Sequence, residues 1–158
     1  MKTRGFEIIS KEQYNKDFDK DMEIEIKLPK RSTMKSAGYD VYAPFDIHLN
    51  PNEDIKIPTG IKSYMQDGEV LVVVPRSGLG FKHYTRLANT LGIIDSDYYY
   101  SDNEGHIWVK LRNEGDKELH IKQGDAFCQM IFLPFLLVDG DNFENGNTRN
   151  GGFGSTNK

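Results

Sequence analysis

Apolar and polar residues alternate in short runs along most of the chain. Positions 22–28 (Met-Glu-Ile-Glu-Ile-Lys-Leu) switch sides at every residue and 106–112 do the same, which predicts strands with one buried face. Shorter runs at 6–9, 39–42, 45–49, 54–57, 60–64, 118–121 and 127–132 are separated by Pro, Asn or Gly. Positions 69–74 form a continuous, mostly β-branched stretch that stops at Pro75, as expected of a strand buried on both faces. Two places admit helix: Ser10-Lys11-Glu12-Gln13 has the spacing of a capping box and starts a short helix over 10–18, and 80–89 has room for another turn or two. Strand signals at intervals of roughly 8–12 residues predict an all-β sandwich, barrel or jelly roll with one or two short helices. No repeat or linker interrupts 1–138, which reads as one β-domain with an N-terminal extension over 1–20. Positions 139–158, rich in Gly and Asn and nearly free of aliphatics, read as a flexible C-terminal arm.

Composition narrows the picture. A chain of 158 residues buries enough surface to fold without a disulfide or a structural metal. A net charge of -4, from 20 basic and 24 acidic residues, argues against a nucleic-acid coat protein, and no nucleic-acid partner is expected. The longest apolar stretch, 130–138, contains Pro134 and falls well short of the ~20 residues of a bilayer span, so no membrane partner is expected either. The charged N-terminus has no apolar core of a secretory signal, and the single cysteine, Cys128, fits a reducing, cytoplasmic location. The four histidines are scattered and form no H-x-x-x-H pair, which disfavours a structural zinc site.

Four segments carry candidate chemistry. After the most apolar strand comes Pro75-Arg76-Ser77-Gly78-Leu79-Gly80, an arginine fork, a hydroxyl and exposed backbone N–H groups. These are the parts of a phosphate cradle, though without the Gly-Lys-Ser/Thr of a Walker loop. Arg149-Asn150-Gly151-Gly152-Phe153-Gly154-Ser155-Thr156 repeats the inventory and adds an aromatic able to stack on a base. Gly92-Ile93-Ile94-Asp95-Ser96-Asp97-Tyr98 places two acids after an apolar pair; Asp95 reads either as a general base towards water or as an ordinary turn acid. Asp40, in Ala37-Gly38-Tyr39-Asp40, reads either as a turn acid or as the partner of an arginine.

The order of these segments is more informative than any one of them. Ala-Gly-x-Asp, Pro-Arg-Ser-Gly-Leu, Leu87-Ala88-Asn89 with Gly-Ile-Ile-Asp-Ser-Asp-Tyr, Gly124-Asp125-Ala126-Phe127-Cys128-Gln129-Met130-Ile131, and Gly-Gly-Phe-Gly-Ser-Thr resemble the five-motif signature of the homotrimeric dUTP diphosphatases, the dUTPases, most of all the phage and Gram-positive members. The resemblance spans about 36–156. It implies a jelly-roll-like β-barrel, a homotrimer with sites between subunits and an ordering arm, and Mg2+-assisted hydrolysis of dUTP to dUMP and pyrophosphate. That reaction keeps uracil out of DNA and supplies dUMP for dTMP synthesis. In the family's scheme Asp95 activates the water that attacks the α-phosphorus. Asn89, Gly92 and Ile94 belong to the hairpin that reads uracil, and Tyr98 packs under the deoxyribose and crowds out a 2′-hydroxyl. Arg76, Ser77 and Gly78 hold phosphates, Gln129 meets the α-phosphate or its water, and Asp40 orients the arginine and the metal's water shell. Arg149 clamps the γ-phosphate, Phe153 covers the base, and Gly154, Ser155 and Thr156 add phosphate contacts. Mg2+ is held by phosphates and water, with no direct protein ligand.

Two departures from the family pattern stand out. Arg149 lies four residues before Phe153 where the family has five, with Thr148 in the usual place. Positions 99–104 intervene between Tyr98 and Gly105 and lengthen the hairpin, as an inert excursion or as a contact surface. That second option carries the alternative reading of a dUTPase-fold binding module that regulates a repressor protein, in addition to catalysis. A deaminase of the same superfamily needs a glutamate near the base, and none stands between Pro75 and Tyr100. A purely structural jelly roll leaves the two glycine-rich cradles without a purpose.

Overall fold

The alternating runs become strands in the structure, a computed structural model that describes residues 1–20 and 24–141. In chain order these are β1 (Gly5–Ile8), then, after the helix α1 (Lys11–Asp17), β2 (Lys30–Arg31), β3 (Tyr39–Tyr42), β4 (Ile47–Leu49), β5 (Asp54–Pro58), β6 (Ile61–Tyr64) and β7 (Glu69–Pro75). A second helix, α2 (Ser77–His83), leads to β8 (Thr85–Leu87) and β9 (Gly92–Asp95). A 3-10 helix (Ser96–Tyr100) precedes β10 (Trp108–Asn113), β11 (Leu119–Ile121) and β12 (Ala126–Pro134). The main sheet has the order β2-β3-β12-β7-β9, and smaller sheets pair β5-β10-β8, β11-β4 and β1-β6. All these pairings are antiparallel.

One core joins the sheets. Leu71, Ile57, Ile61, Ile107, Leu111, Phe127 and Met130 are fully buried within it. Each such side chain contributes about 1.5–3 kcal/mol through loss of contact with water. Because the side-chain period of a strand is two, the buried set also fixes register. In β4 and β11, Ile47, Leu49, Leu119 and Ile121 point inward and His48 and His120 outward. Cys128 is fully buried on β12, and burial pushes its thiol up, so it is a small core hydrophobe. The all-β, jelly-roll-like expectation with two short α-helices holds. No helix among the described residues is long and apolar enough to cross a membrane.

Three local expectations fail. Residues 24–28 carry no strand; positions 22–23 lie outside the described residues. A strand needs a partner, and none pairs with it among the described residues. Ile26 instead covers Gly60, where a built Cβ would lie 2.3 Å from Ile26 Cδ1. The helix expected in 80–89 begins earlier, at Ser77, and Tyr84, in the left-handed region with φ 50°, ends it so that β8 can form. Positions 99–104 do not lengthen a hairpin: they finish the 3-10 helix and make the turn before Gly105 (φ +72°).

That turn holds the N-terminal extension. Ser10 caps α1 by accepting from Gln13 N at 3.1 Å, as the capping box requires. The reciprocal bond is not made by Gln13, which donates to Asp17 instead. Glu104 takes its place, accepting from Ser10 N at 2.9 Å and Ser10 Oγ at 2.6 Å, and pairing with Lys62 Nζ at 2.9 Å. Tyr99 donates its hydroxyl to Glu7 on β1 at 2.7 Å. His106, fully buried, has Nδ1 2.5 Å from Asp17 Oδ2, and its Nε2 accepts from Gly60 N at 2.8 Å. The extension is therefore an ordered part of the domain.

Candidate active site

The first cluster forms where three neighbouring strands end. Gln129 on β12 stands opposite Asp40 on β3 and Val74 on β7, so segments distant in sequence meet across one sheet. Asp40, largely buried, forms an ion pair with Arg76, its Oδ1 3.1 Å from Nε. Gln129 Nε2 donates to Pro75 O at 3.3 Å, and its Oε1 lies where a Cβ on Gly38 would be, 2.1 Å away. Glycine at 38 is what lets the glutamine lie across the strand. Ser77 opens α2, and a Cβ on Gly78 would meet nothing within 4 Å, so the backbone there is open to a ligand. Arg76, Gly78, Lys82 and His83 border a shallow cavity of about 320 Å³. Arg86 is otherwise occupied: its Nη1 donates to Gly80 O and Thr85 O, each at 3.1 Å, and ties α2 to β8. This arrangement of an arginine fork, a hydroxyl, an amide and open backbone suits an anion such as a phosphate.

The second cluster is a cavity of about 520 Å³ along the turn from β8 to β9, which are strands of two different sheets and not the paired hairpin expected. Asn89, Gly92, Ile94, Asp95 and Tyr98 all line it. The turn is tight: Thr90 has φ 68°, and Leu91 N donates to Asn89 O at 2.7 Å. Gly92 is required because a Cβ there would approach Val73 Cβ to 2.8 Å. Tyr98 is buried and held at both ends of its hydroxyl, which donates to His106 O at 2.7 Å and accepts from Asn103 Nδ2 at 2.8 Å. Trp108, Val109 and Lys110 of β10 complete the wall and were not among the site residues expected. Their alternation marks a strand, and nothing in it shows that the strand faces the β8–β9 turn. A volume of this size with an apolar lining and the backbone of a tight turn along it fits a planar base and its sugar.

The two clusters lie apart. Asp95 pairs with Val70, while Arg76 follows the other end of β7. At about 3.3 Å per residue, the strand separates them by about 20 Å. Asp40, Arg76, Ser77, Gly78 and Gln129 come together, and Asn89, Gly92, Ile94, Asp95 and Tyr98 come together, but one chain does not join the two groups. Arg149, Phe153, Gly154, Ser155 and Thr156 lie outside the described residues. Among the described residues, one group of metal-ligand side chains converges, His48, Glu118 and His120, on the outer face of β4 and β11.

Comparison with known proteins agrees with this architecture. The dUTPase family model matches residues 24–157. The chain is 45% identical over 157 residues to the deoxyuridine 5′-triphosphate nucleotidohydrolase of Lactococcus lactis, covering 99% of each. It is 36% identical over 149 residues to that of Actinobacillus succinogenes, covering 90% of this chain and 95% of the relative. The crystal structure of the Streptococcus mutans dUTPase superposes with a TM-score of 0.69 at 38% identity, over 86% of this chain and 99% of the other. The dUTPase of Staphylococcus bacteriophage 80alpha shares the fold, with a TM-score of 0.66 at 19% identity over 90% of this chain and 96% of that one. With a family match over most of its length and close relatives along all of it, the chain belongs to the dUTPase family.

Proposed function

We propose that this dUTP hydrolase splits its substrate into dUMP and pyrophosphate by attack of water on the α-phosphorus, with Asp95 as general base, in sites assembled between the subunits of a homotrimer. One observation carries the reading: the phosphate cradle and the cavity bearing Asp95 are each well formed, yet stand about 20 Å apart in one chain. Proton abstraction needs the base within hydrogen-bonding reach of the attacking water, about 2.6–3.2 Å. Two copies related by rotation bring the cradle of one against the cavity of the other, and closed rotational symmetry makes every such site equivalent.

Within that site the uracil enters the β8–β9 cavity. Backbone groups from Asn89 to Ile94 pair with the base edge, and the tightness of the turn leaves no room for a thymine methyl. Tyr98, fixed by Asn103 and by the carbonyl of His106, lies under the sugar and excludes a 2′-hydroxyl. Arg76, Ser77 and Gly78 hold the phosphates, and Gln129 aligns the α-phosphate or its water. The water oxygen forms a bond to the α-phosphorus and its proton passes to the Asp95 carboxylate. The α–β bridging bond breaks and its electron pair leaves with pyrophosphate. Arg149 supplies charge at the γ-phosphate, Phe153 stacks on the base, and Gly154, Ser155 and Thr156 close the arm over the phosphates. Preorganised donors of this kind stabilise developing charge better than water does.

The largely buried Asp40 carboxylate beside Arg76 is a hard oxygen donor next to the cradle, which fits Mg2+ carried by the phosphates with Asp40 ordering its water shell. Mg2+ supplies charge neutralisation on the triphosphate. The net charge of -4 gives the protein no general attraction for a polyanion, so a cation has a clear place here. The second reading, a surface for a regulatory protein on 99–104, has less to rest on. Tyr99, Asn103 and Glu104 are engaged by their own chain, and Tyr100 is left exposed.

The test is pyrophosphate release from dUTP, dCTP, dTTP and UTP with Mg2+ and with EDTA, followed by complementation. Asp95→Asn and Arg76→Ala should each be inactive alone. Coexpressed, they should recover about a quarter of the wild-type rate, since random assembly gives that share of sites with both groups intact. No recovery in mixed oligomers would place both groups in one chain's site and reject the shared arrangement.

A further inference from the structure

We propose that His48, Glu118 and His120 bind a zinc ion on the outer face of the β4–β11 pair. The antiparallel register sets His120 directly opposite His48. Each histidine is flanked by two buried aliphatic residues, Ile47 and Leu49 on one strand and Leu119 and Ile121 on the other. Rotating either imidazole off this face would expose the aliphatic pair, so the backbone presents both rings outward by construction. The rings stack with centroids 4.3 Å apart and planes 11° from parallel. Both Nε2 atoms converge on one carboxylate oxygen, Glu118 Oε2, at 3.4 Å from His48 and 3.3 Å from His120.

These distances are those of a chelating triad. Zinc bonds of about 2.0–2.2 Å to nitrogen and oxygen at tetrahedral angles put neighbouring ligand atoms about 3.3–3.5 Å apart. The three donor atoms here all lie within 4.8 Å of one another, with the two nitrogen–oxygen separations already in that window. A small splay of two exposed rings completes the triangle without moving the backbone. Two imidazoles and a carboxylate leave a fourth position open to water, and this donor set suits zinc rather than a hard cation that demands oxygen. All three side chains are more than half exposed, so the ion has free entry and the affinity is that of a surface site, not of a folding nucleus. The inference does not rest on the reaction proposed above.

The experiment uses the full chain with no affinity tag and no nucleotide, titrated with Zn2+ against a chromophoric chelator. One Zn2+ per chain is expected. His48→Ala and His120→Ala should each weaken binding at least as much as loss of an outer-sphere partner does, about 10–100-fold. His83→Ala, a histidine outside the triad, should leave it unchanged. Co2+ should give the visible absorption of a four-coordinate site, lost in the His48→Ala/His120→Ala double variant. Substoichiometric Zn2+, equal affinity in the triad variants, or a wild-type Co2+ spectrum of the hexahydrate alone would each overturn the proposal.

Discussion

A methyl group at position 38 would collide with Gln129, whose Oε1 already fills that space at 2.1 Å. Gly38→Ala should therefore swing Gln129 away from Pro75 O while leaving the core untouched. The expected result is a fall in kcat of about 10–100-fold, the scale of a misplaced catalytic contact, with Tm little changed. Asp95→Asn keeps the shape of the β8–β9 cavity and removes the proposed proton acceptor. Turnover should fall by about 10²–10⁴-fold while calorimetry with a non-hydrolysable dUTP analogue still shows binding. These effects separate positioning from proton transfer. Both residues were legible in the sequence, because a glycine in Ala-Gly-x-Asp and an acid in Ile-Asp-Ser-Asp-Tyr follow the family's order. The contact between Gly38 and Gln129, 91 residues apart by subtraction of their numbers, was not.

At the scale of elements, the N-terminal extension and the turn at 101–105 stabilise each other. Glu104 is the joint, bonded to Ser10 and Lys62. Burial raises its carboxyl, but the bonds from Ser10 and Lys62 outweigh that and hold it below the usual value. Glu104→Ala should cost about 1–3 kcal/mol, read from chemical denaturation, because it leaves the α1 cap and a partly buried lysine without their acceptor. His106 supplies a pH dependence. Burial holds its imidazole below the ordinary 6.5, against the opposing pull of Asp17, and Nε2 cannot take a proton while Gly60 N donates to it. The unfolded chain takes up that proton first, so stability is full above about pH 6.5 and declines as pH falls through that value. A second decline should begin below pH 4.5, where Glu7, Glu69 and Glu104, all lowered in the fold, lose their charge. Thermal melts between pH 8 and 4 should show both limbs; a flat Tm from 8 to 5 would mean that His106 holds its proton equally well in the folded and unfolded states.

At the scale of the molecule, one chain presents a cradle and a cavity but not a complete site. Leu136, Leu137 and Val138 are strongly exposed at the end of the described residues, with Leu133 and Phe135 partly so. A contiguous apolar strip of this kind is a surface that the proposed homotrimer would cover with a neighbouring subunit. Ending the chain after 141 should spare folding, since the core of the described residues lies before that point, and should reduce kcat/KM for dUTP by at least about 10²-fold through loss of the contacts proposed for Arg149 and Phe153. Unimpaired turnover would show that the arm takes no part in closing the site.

The all-β class, the capping of α1 by Ser10 and the family motifs were determined by the sequence itself. Strand periodicity, cap chemistry and motif order are local or ordered along the chain, and each is readable one residue after another. The tertiary structure decided what depends on partners across space. Positions 24–28 alternate like a strand, yet they join no sheet among the described residues. Positions 99–104 look like an excursion, yet become the clasp of the N-terminal extension because Glu104 and Tyr99 meet Ser10 and Glu7 far away in sequence. Four scattered histidines carry no metal spacing, yet antiparallel pairing sets two of them over one carboxylate. Register fixes which distant side chains share a face, and register depends on the packed core as a whole rather than on any single stretch of sequence.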